Sequence, residues 1–286
     1  MYTKHTIVGM YCETPLHAGS GQAVGVVDLP VQREKITNWP TIQASGLKGA
    51  FRSAHEDVKG THTDDIFGSD KSGEEAQAGA ISIGDARLLL FPIRSSVAPF
   101  LWVTCPAILR KLKRDGKIVG KTHAWTIPDV QDDQYLGLSE NNKDVIFEDL
   151  MLSTAGSIEQ GILESIKELL PREDFYNSIE LEKYICLISD SSFAMLVETG
   201  TEVQARIVLN DRKTSENLWY QELVPSNTVF YTVISMADAR REKEEERKSA
   251  ALLIESLQNT LKEYVQIGGD ETLGRGWTRL VWQEVK

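Results

Sequence analysis

The chain has few cysteines and no long hydrophobic segment. Its three cysteines, Cys12, Cys105 and Cys186, are far apart, lack C-x-x-C spacing and lie among apolar residues. This pattern argues against a disulfide framework and a structural zinc site, and it predicts reduced thiols in a cytosolic core. No apolar run approaches the roughly 18 residues of a membrane-spanning helix, and the first residues lack the apolar region of a signal peptide. We therefore expect a soluble, cytoplasmic protein with no membrane partner.

Two further absences bear on domain organisation and on enzyme class. The 286 residues contain no linker rich in Pro, Gly or Ser, which favours one elaborated domain over 1–286. The strand-to-helix motifs G-x-G-x-x-G and G-x-x-x-x-G-K-[ST], which would cradle the phosphates of a nucleotide, are also missing. A small-molecule enzyme that binds a nucleotide through its glycine-rich loops therefore stays open only as an alternative.

The net charge of −11 is concentrated in one part of the chain. Residues 129–182 contain fourteen acidic and three basic residues, an excess equal to the whole net charge. Because the remainder is neutral overall, an acidic insertion that faces solvent or a protein partner is compatible with a basic groove elsewhere.

Two segments are rich in glycine. Residues 267–277 read I-G-G-D-E-T-L-G-R-G-W, and residues 14–28 read T-P-L-H-A-G-S-G-Q-A-V-G-V-V-D. Glycine permits positive φ and close approach, so the amides of 267–277 can converge on an anion such as a phosphate, and Arg275 supplies a matching charge. The alternative is a tight turn that only connects two strands.

A helix is predicted to begin at the N-cap Ser45, with Leu47 and Phe51 on its buried face. Lys48 and Arg52 lie four residues apart in its first two turns, where the helix dipole favours an anion. These two cations are candidates to bind phosphate. The alternative is a solvated basic pair on a surface helix.

The order of the elements predicts an α+β fold. Without its insertions the chain reads strand, helix, two strands, and later strand, helix, strand, which fits a ferredoxin-like (RRM-like) core. The insertions are a flexible loop over 59–78, a mixed helical and acidic segment over 104–182, and a projecting β-hairpin over 199–226. A long helix is predicted over 237–264. Several other α+β folds share this order.

Six sequence blocks together resemble a known family. In chain order they are P-L-H-A-G-S-G, G-V-V-D-L-P-V-Q-R-E, S-G-L-K-G-A-F-R-S, F-G-S, A-R-L-L-L-F-P-I-R-S-S and the final glycine-rich loop. This arrangement resembles the RAMP superfamily of CRISPR proteins and is most similar to the backbone subunit of the type III-B effector, the Cmr complex. The resemblance covers about residues 7–282 and is weaker in the acidic region.

The resemblance implies a fold, partners and an activity. It implies an RRM-like palm, a hairpin called the thumb, and head-to-tail stacking of copies along guide (CRISPR) RNA beside other Cmr subunits. Each thumb would displace one guide position, and the subunit would cut single-stranded target RNA opposite that position. A divalent metal, Mg²⁺ or Mn²⁺, is implied as the cofactor.

The resemblance also assigns candidate catalytic residues. The family's cleavage aspartate corresponds to Asp28 in G-V-V-D. A carboxylate there can accept a proton from a 2′-hydroxyl, position that hydroxyl, or help to hold a hydrated metal, so that the 2′-oxygen attacks the adjacent phosphate. His17 in P-L-H-A-G-S-G is expected to bind and position RNA, with catalysis as a second possibility. Tyr220 and Glu222 lie where the family has aromatic and acidic residues beside the thumb.

The predicted RNA-binding residues share small size or positive charge. Backbone amides and a few cations hold phosphates and sugars without reading sequence, as a subunit that accepts any guide requires. The set is Gly19, Ser20, Gly21, Ser45, Lys48, Arg52, Arg94, Gly268, Gly269, Gly274 and Arg275. For Arg94 a structural ion pair is the alternative.

Two alternatives within the same superfamily remain open. In the first, the chain is a non-catalytic scaffold in which Asp28 only closes a turn. In the second, it is a guide-processing endoribonuclease, which would act singly through a histidine-based site.

Overall fold

The fold combines a large mixed sheet, a separate two-stranded sheet and helices. A computed structural model describes residues 1–23, 25–69, 76–138, 144–171, 183–241 and 243–285. The strands are β1 (Lys4–Cys12), β2 (Thr41–Ile42), β3 (Ile81–Ile83), β4 (Ala86–Ile93), β5 (Leu101–Thr104), β6 (Gln134–Gly137), β7 (Asp144–Phe147), β8 (Leu150–Thr154), β9 (Ile185–Ile188), β10 (Glu202–Leu209), β11 (Ser215–Leu223), β12 (Val229–Met236), β13 (Tyr264–Gln266) and β14 (Trp277–Trp282). The helices are α1 (Ala44–Asp57), α2 (Thr63–Phe67), α3 (Pro106–Ile118), α4 (Gln160–Lys167), α5 (Asp190–Thr199) and α6 (Ala250–Thr260). The predicted α+β class is confirmed.

The main sheet places the two ends of the chain side by side. Its order is β13-β14-β1-β12-β4-β5-β9-β6-β8-β7, with β2 on β4 and β3 on β12. Seven consecutive residues of β1 are buried, as are the first four of β12, because layers of the protein cover both faces of these strands. A strand covered on both faces reads as a continuous apolar run, as I-V-G-M-Y-C does here.

Helix α1 begins one residue before the predicted N-cap. The N-cap position is Gln43, and Ser45 lies inside the helix, so the predicted N-cap is wrong. The N-terminus of the helix is capped by a residue outside it, since Asp85 accepts a hydrogen bond from the amide of Ala44 at 2.8 Å. Leu47 and Phe51 are buried, as predicted.

The predicted helix over 237–264 is also wrong in its extent. Only α6 is α-helical, and the charged stretch before it contains a short 3-10 turn at Glu244–Glu246. That turn buries no residue, and helices in proteins are stabilised mainly by packing an apolar face. The helix begins where such a face begins, with Ser249 accepting a hydrogen bond from the amide of Leu252 at 3.3 Å.

The segment 59–78 is not a loop throughout. It contains α2, whose Ile66 and Phe67 are buried, because these apolar side chains attach a polar segment to the core. Residues 70–75 lie outside the described residues. So do 139–143 and 172–182 of the predicted insertion 104–182, whose described part contains α3, α4 and β6 to β8.

Strands β10 and β11 form the hairpin predicted over 199–226. They pair only with each other as named strands, in an antiparallel register that places Ile207 opposite Leu218 and Ala205 opposite Tyr220. Most of the side chains of β10 are exposed or half-buried. The hairpin is therefore an appendage to the main sheet.

The three cysteines are free and buried, as predicted. Burial raises the pKa of the Cys12 thiol to about 12, so the thiol is neutral. Among the described residues, no helix is long and apolar enough to cross a membrane.

Candidate active site and nucleic-acid interface

The carboxylate of Asp28 is held in place by the outer edge of the hairpin. Its Oδ2 accepts a hydrogen bond from the amide of Tyr220 at 2.7 Å. The amide of Asp28 in turn donates to the carbonyl of Tyr220 at 3.1 Å. Its Oδ1 makes no hydrogen bond within the described part of the chain. The side chain is half-buried, so a fixed carboxylate presents one oxygen to a ligand.

The residues after Asp28 continue along the same edge of β11. Leu29 donates its amide to the carbonyl of Tyr220 at 3.1 Å and accepts from the amide of Glu222 at 3.0 Å. Leu29 therefore forms an isolated parallel bridge with Gln221 of the hairpin. The loop that carries Asp28 is positioned by backbone pairing as well as by its own side chain.

Glu222 is buried, and both oxygens of its carboxylate accept hydrogen bonds. Its Oε2 accepts from the amide of Val31 at 2.9 Å, and its Oε1 accepts from the hydroxyl of Thr201 at 2.7 Å and from the guanidinium of Arg33. These contacts favour a role in positioning the loop that carries Asp28. The catalytic role of Glu222 stays a prediction.

His17 is attached to the same strand. Its Nδ1 lies 2.8 Å from the carbonyl oxygen of Glu222. Because a carbonyl only accepts, Nδ1 carries a proton, and Nε2 is the ring nitrogen left to contact a ligand. A Cβ at Gly19 would lie 2.7 Å from that Nε2, which explains glycine at this position.

Strand β11 thus brings the four predicted catalytic residues to one place. Asp28 binds it at Tyr220, and His17 binds it two residues further on at Glu222. Two strand residues span about 7 Å. The ring of Tyr220 is 42% exposed at the same site. A nucleotide could contact all but Glu222 at once.

The two glycine-rich segments pack on each other. Gly269 donates its amide to the carbonyl of His17 at 2.9 Å, and Gly276 donates to that of Pro15 at 2.9 Å. A Cβ at Gly268, which has φ +84°, would lie 2.3 Å from the carbonyl oxygen of His17. The close approach predicted at these glycines therefore occurs, but its partner is the chain itself.

Several amides of the predicted phosphate cradle have partners within the chain. The amide of Gly269 is used by His17, and that of Gly274 donates to Glu271 at 2.9 Å. Ser20 donates its amide to the carbonyl of Pro30 at 3.0 Å, whereas Gly21 is exposed with open space around it. Contacts of these residues with RNA stay predictions, but Gly269 and Gly274 have no free amide to offer.

A groove of about 810 Å³ separates α1 from the glycine-rich segments. Gly46 and Gly49 of α1 line one side, and Gly268, Gly269 and His17 line the other. Helix α1 and both glycine-rich segments therefore border one groove.

The predicted cations are not in this groove. Its charged lining residues are Asp57 and Glu271, both acidic. Lys48 and Arg52 lie on another side of α1 than its glycines, because the helix turns by about 100° per residue. The glycine-rich segments and these cations therefore do not line one common groove.

The four predicted cations differ in their surroundings. Arg52 donates to the carbonyl of Gly68 at 2.9 Å and to Glu56 at 2.8 Å. Arg275 donates to Gln204 of the hairpin at 2.9 Å. Lys48 is half-buried and has no ion pair within the described ranges. Of the two cations of α1, Lys48 is therefore the one more available to bind a phosphate.

Arg94 lies away from the others. It forms a two-pronged ion pair with Glu148, with Nε to carboxylate distances of 3.0 Å. It stands seven residues beyond Arg87, which pairs with β2 just before α1. Seven strand residues span about 23 Å. The alternative of a structural ion pair describes Arg94 in this structure, although its side chain is exposed and not buried.

A cluster at the base of the hairpin was missed. Arg206 donates to Asp270 at 2.8 Å and to Gln221 at 2.7 Å, and Gln221 donates to Asp270 at 2.6 Å. The only sequence signal is an aspartate within a glycine-rich loop, where Asp tolerates positive φ. Nothing in the sequence links it to residue 206.

A hydrated divalent metal is compatible with the site through Asp28. Mg²⁺ usually keeps several waters and is bound by one or two carboxylates together with substrate phosphates. No cluster of three or more metal-ligating side chains occurs in the part of the chain that the structure describes. Asp28, with one oxygen available, fits a hydrated ion bound by one carboxylate and by substrate phosphates, and not a metal site formed by protein ligands alone.

Comparison with known proteins gives a consistent result. The sequence profile of the RAMP superfamily matches residues 10–279. A curated relative, the CRISPR system Cmr endoribonuclease Cmr4 of Pyrococcus furiosus, is 37% identical over 293 residues, covering 99% of this chain and 97% of the relative. The crystal structure of oligomeric Cmr4 from that organism has a TM-score of 0.75 at 31% identity and covers 99% of both chains. A chain of the type III-B Cmr-beta complex in its apo state has a TM-score of 0.72 at 25% identity, covering 98% of this chain and 97% of its own.

Proposed function

Since the chain belongs to the RAMP superfamily, we propose that it is the backbone subunit of a type III-B CRISPR effector and cuts target RNA. Copies of it would stack along guide RNA beside other Cmr subunits, and Asp28 would act at the cleavage site. The similar proteins named as an endoribonuclease, as an oligomer and as part of a Cmr complex support this assignment. The observation that carries the catalytic part is the fixed Asp28 carboxylate with one oxygen available.

The central topology supports an RRM-like palm. Taken in chain order, β1, α1, β4, β12, α6 and β14 give strand, helix, two strands, helix, strand. Their order in the sheet is β14-β1-β12-β4, and all three pairings are antiparallel. This is the arrangement expected of a ferredoxin-like split β-α-β core. Strand β13 extends the sheet beyond β14, and β5 to β9 extend it beyond β4.

The exposed side chains of the hairpin support its assignment as a thumb. Ile207 and Leu218 face each other across the two strands and are 53% and 51% exposed. Exposed apolar side chains on a projecting element are suited to contact unstacked bases. Arg212 and Lys213 at the tip are exposed cations that can contact phosphate. We infer that the hairpin displaces one guide position.

The remaining surface supports RNA binding without sequence readout. Tyr264 and Trp277 line the groove beside α1 with exposed rings, on which bases can stack. Lys48 lies on the neighbouring side of α1 and would neutralise a phosphate. The acidic lining at Asp57 and Glu271 disfavours phosphates inside the groove, so the backbone of the RNA would follow the Lys48 side.

The proposed reaction begins with the free oxygen of Asp28. Oδ1 would accept the proton of a target 2′-hydroxyl or hold it in line, and the 2′-oxygen would form a bond to the adjacent phosphorus as the bond to the 5′-oxygen breaks. In its alternative role, Asp28 would hold a hydrated Mg²⁺ or Mn²⁺, which would supply positive charge to the phosphate. Nε2 of His17 would accept a hydrogen bond from the RNA and position the nucleotide. The 5′-oxygen would take a proton from water as it leaves, and the proton on Asp28 would return to solvent.

The decisive test uses the assembled complex with guide and target RNA. Asp28→Ala should lower the single-turnover cleavage rate by roughly 100-fold to 10,000-fold, the range for a positioned acid–base group, without weakening target binding. Asp211→Ala, at the exposed tip of the hairpin, removes a carboxylate elsewhere and is the matched control for charge. Unchanged cleavage by Asp28→Ala with full binding would exclude Asp28 from the mechanism.

A non-catalytic scaffold is the second candidate. The bond between Asp28 and the amide of Tyr220 is also what an aspartate that only holds its loop on β11 would make. This candidate predicts that the complex retains target RNA intact for any residue at position 28. Cleavage of repeat RNA by the isolated chain would instead indicate a guide-processing endoribonuclease.

A further inference from the structure

Asp270 connects the glycine-rich loop to the hairpin through both of its carboxylate oxygens. Oδ1 accepts from Arg206 at 2.8 Å and Oδ2 accepts from Gln221 at 2.6 Å. Asp270 has φ +62°, in the left-handed region, where Asp is enriched among the residues other than glycine. In this backbone conformation the carboxylate contacts the hairpin.

The cluster of Asp270, Arg206 and Gln221, here called the clasp, is charged in the folded protein. Partial burial acts to raise the pKa of Asp270, but hydrogen bonds from Arg206 and Gln221 and the positive charge of Arg206 outweigh it and lower the pKa. The guanidinium of Arg206 also lies 5.4 Å from the ring centre of Trp219. A second contact, from Arg275 to Gln204 at 2.9 Å, joins the same two elements.

Gln221 connects the clasp to the part of β11 that binds Asp28 and His17. Gln221 stands between Tyr220, whose amide binds the Asp28 carboxylate, and Glu222, whose carbonyl binds His17. The glycine-rich loop that carries Asp270 also binds the carbonyl of His17 through Gly269. A movement of β11 relative to this loop would displace Asp28 and His17 together.

We propose that Asp270, acting through Arg206 and Gln221, is a positioning residue that fixes β11 so that Asp28 and His17 face the RNA in the reactive arrangement. This inference rests on the proposed function, since it assumes that Asp28 acts in cleavage. A misplacement of about 1 Å at a reacting group can slow a reaction about 100-fold. Loss of the clasp is therefore expected to reduce the cleavage rate much more than RNA binding.

Three variants separate the effect of the Asp270 carboxylate from the effect of the backbone conformation in its loop. Asp270→Gly removes the carboxylate and accepts the positive φ without strain. Asp270→Asn keeps the shape and one acceptor oxygen, so it should retain an intermediate cleavage rate. Thr272→Gly is the matched control, because Thr272 is exposed in the same loop and makes no hydrogen bond within the described residues.

The first measurement is amide hydrogen exchange in the full chain without RNA. The amides of Tyr220 and Val31 donate to Asp28 and Glu222, so their exchange reports directly on the placement of the loop. Asp270→Gly should accelerate their exchange about tenfold or more, while amides of β1 and β12 stay protected. Unchanged exchange at Tyr220 and Val31 would overturn the proposal. If Asp270→Gly does not fold, the same comparison with Asp270→Asn decides it.

The second measurement is single-turnover cleavage by the assembled complex. Asp270→Gly should cleave about 10-fold to 100-fold more slowly at saturating target, with target affinity changed less than threefold. In the Asp28→Ala background the same substitution should have no further effect, since residues that act as a unit are not additive. An equal further loss in that background would show that Asp270 does not act through Asp28. Full cleavage by Asp28→Ala alone would refute the proposed function, whereas the exchange data would still test the clasp.

Discussion

Two glycines in the same loop should differ sharply in their tolerance of alanine. Gly274 and Gly276 have φ of +71° and +74°, so a side chain strains the backbone at both. That strain costs roughly 1–2 kcal/mol per residue. A Cβ at Gly274 meets nothing within 4 Å, whereas one at Gly276 would lie 2.0 Å from the carbonyl oxygen of Ile267. Only the second substitution forces the chain to move.

The magnitude follows from the hydrogen bonds at Gly276. Relieving the clash requires a shift of about 1 Å or more, which disrupts the bonds from Ile267 to Gly276 and from Gly276 to Pro15, each 2.9 Å long. An unsatisfied buried backbone group costs about 1–3 kcal/mol. Gly276→Ala should therefore destabilise by at least about 2 kcal/mol more than Gly274→Ala, which corresponds to a melting temperature roughly 4–8 °C lower.

Thermal and urea unfolding of the two variants and the parent chain measure this difference. Gly274→Ala serves as the control for backbone strain alone. Melting temperatures that are equal and close to that of the parent would refute the claim that the backbone is closely packed at Gly276. An equal and large loss in both would show that strain, and not the contact with Ile267, sets the requirement for glycine.

Three further predictions address the buried carboxylate, the cation of α1 and the clasp. Glu222→Gln should lower the free energy of unfolding by about 3 kcal/mol, because it breaks a mostly buried ion pair. Glu216→Gln, on the exposed part of β11, is the control and should have little effect. Equal effects of the two substitutions would contradict the role of Glu222. Lys48→Ala should weaken RNA retention alike for all sequences and reduce the salt dependence of binding by about one phosphate contact; a loss confined to some sequences would argue against backbone binding. Because the folded-state pKa of Asp270 is lowered, its charge stabilises the protein above the unfolded-state pKa and this stability is lost as the pH falls through the folded-state value. The melting temperatures of the parent and Asp270→Asn should therefore differ at pH 7 and converge below about pH 4; a constant difference would contradict this.

Local patterns in the sequence were sufficient to predict a helix that buries an apolar face and a close approach of the backbone. The spacing of Leu47 and Phe51 corresponds to the buried face of α1. The glycines of 267–277 indicated a close backbone approach, which is present. These features depend on neighbouring residues and on the absence of a side chain, both of which a sequence shows directly.

Features that depend on distant residues could not be predicted. The clasp joins residues 206 and 270, and the carboxylate of Glu222 is satisfied by residues 31, 33 and 201. The helical spacing of Lys48 and Arg52 shows that they share a side of α1, but not that the groove lies on another side. The length of the helix over 237–264 was overestimated because charge pairs at helical spacing do not replace an apolar face.

The central claim is that Asp28, fixed by β11, faces the scissile phosphate of target RNA. The most direct measurement is a cryo-electron microscopy structure of the assembled complex with guide RNA and a target that carries 2′-deoxy substitutions to prevent cleavage. We predict that the Asp28 carboxylate lies within hydrogen-bond distance, about 3 Å, or one water, of the reacting nucleotide, still bound to the amide of Tyr220. A target backbone that passes the Lys48 side of α1 but stays more than about 10 Å from Asp28, beyond a bridging water, would contradict the account.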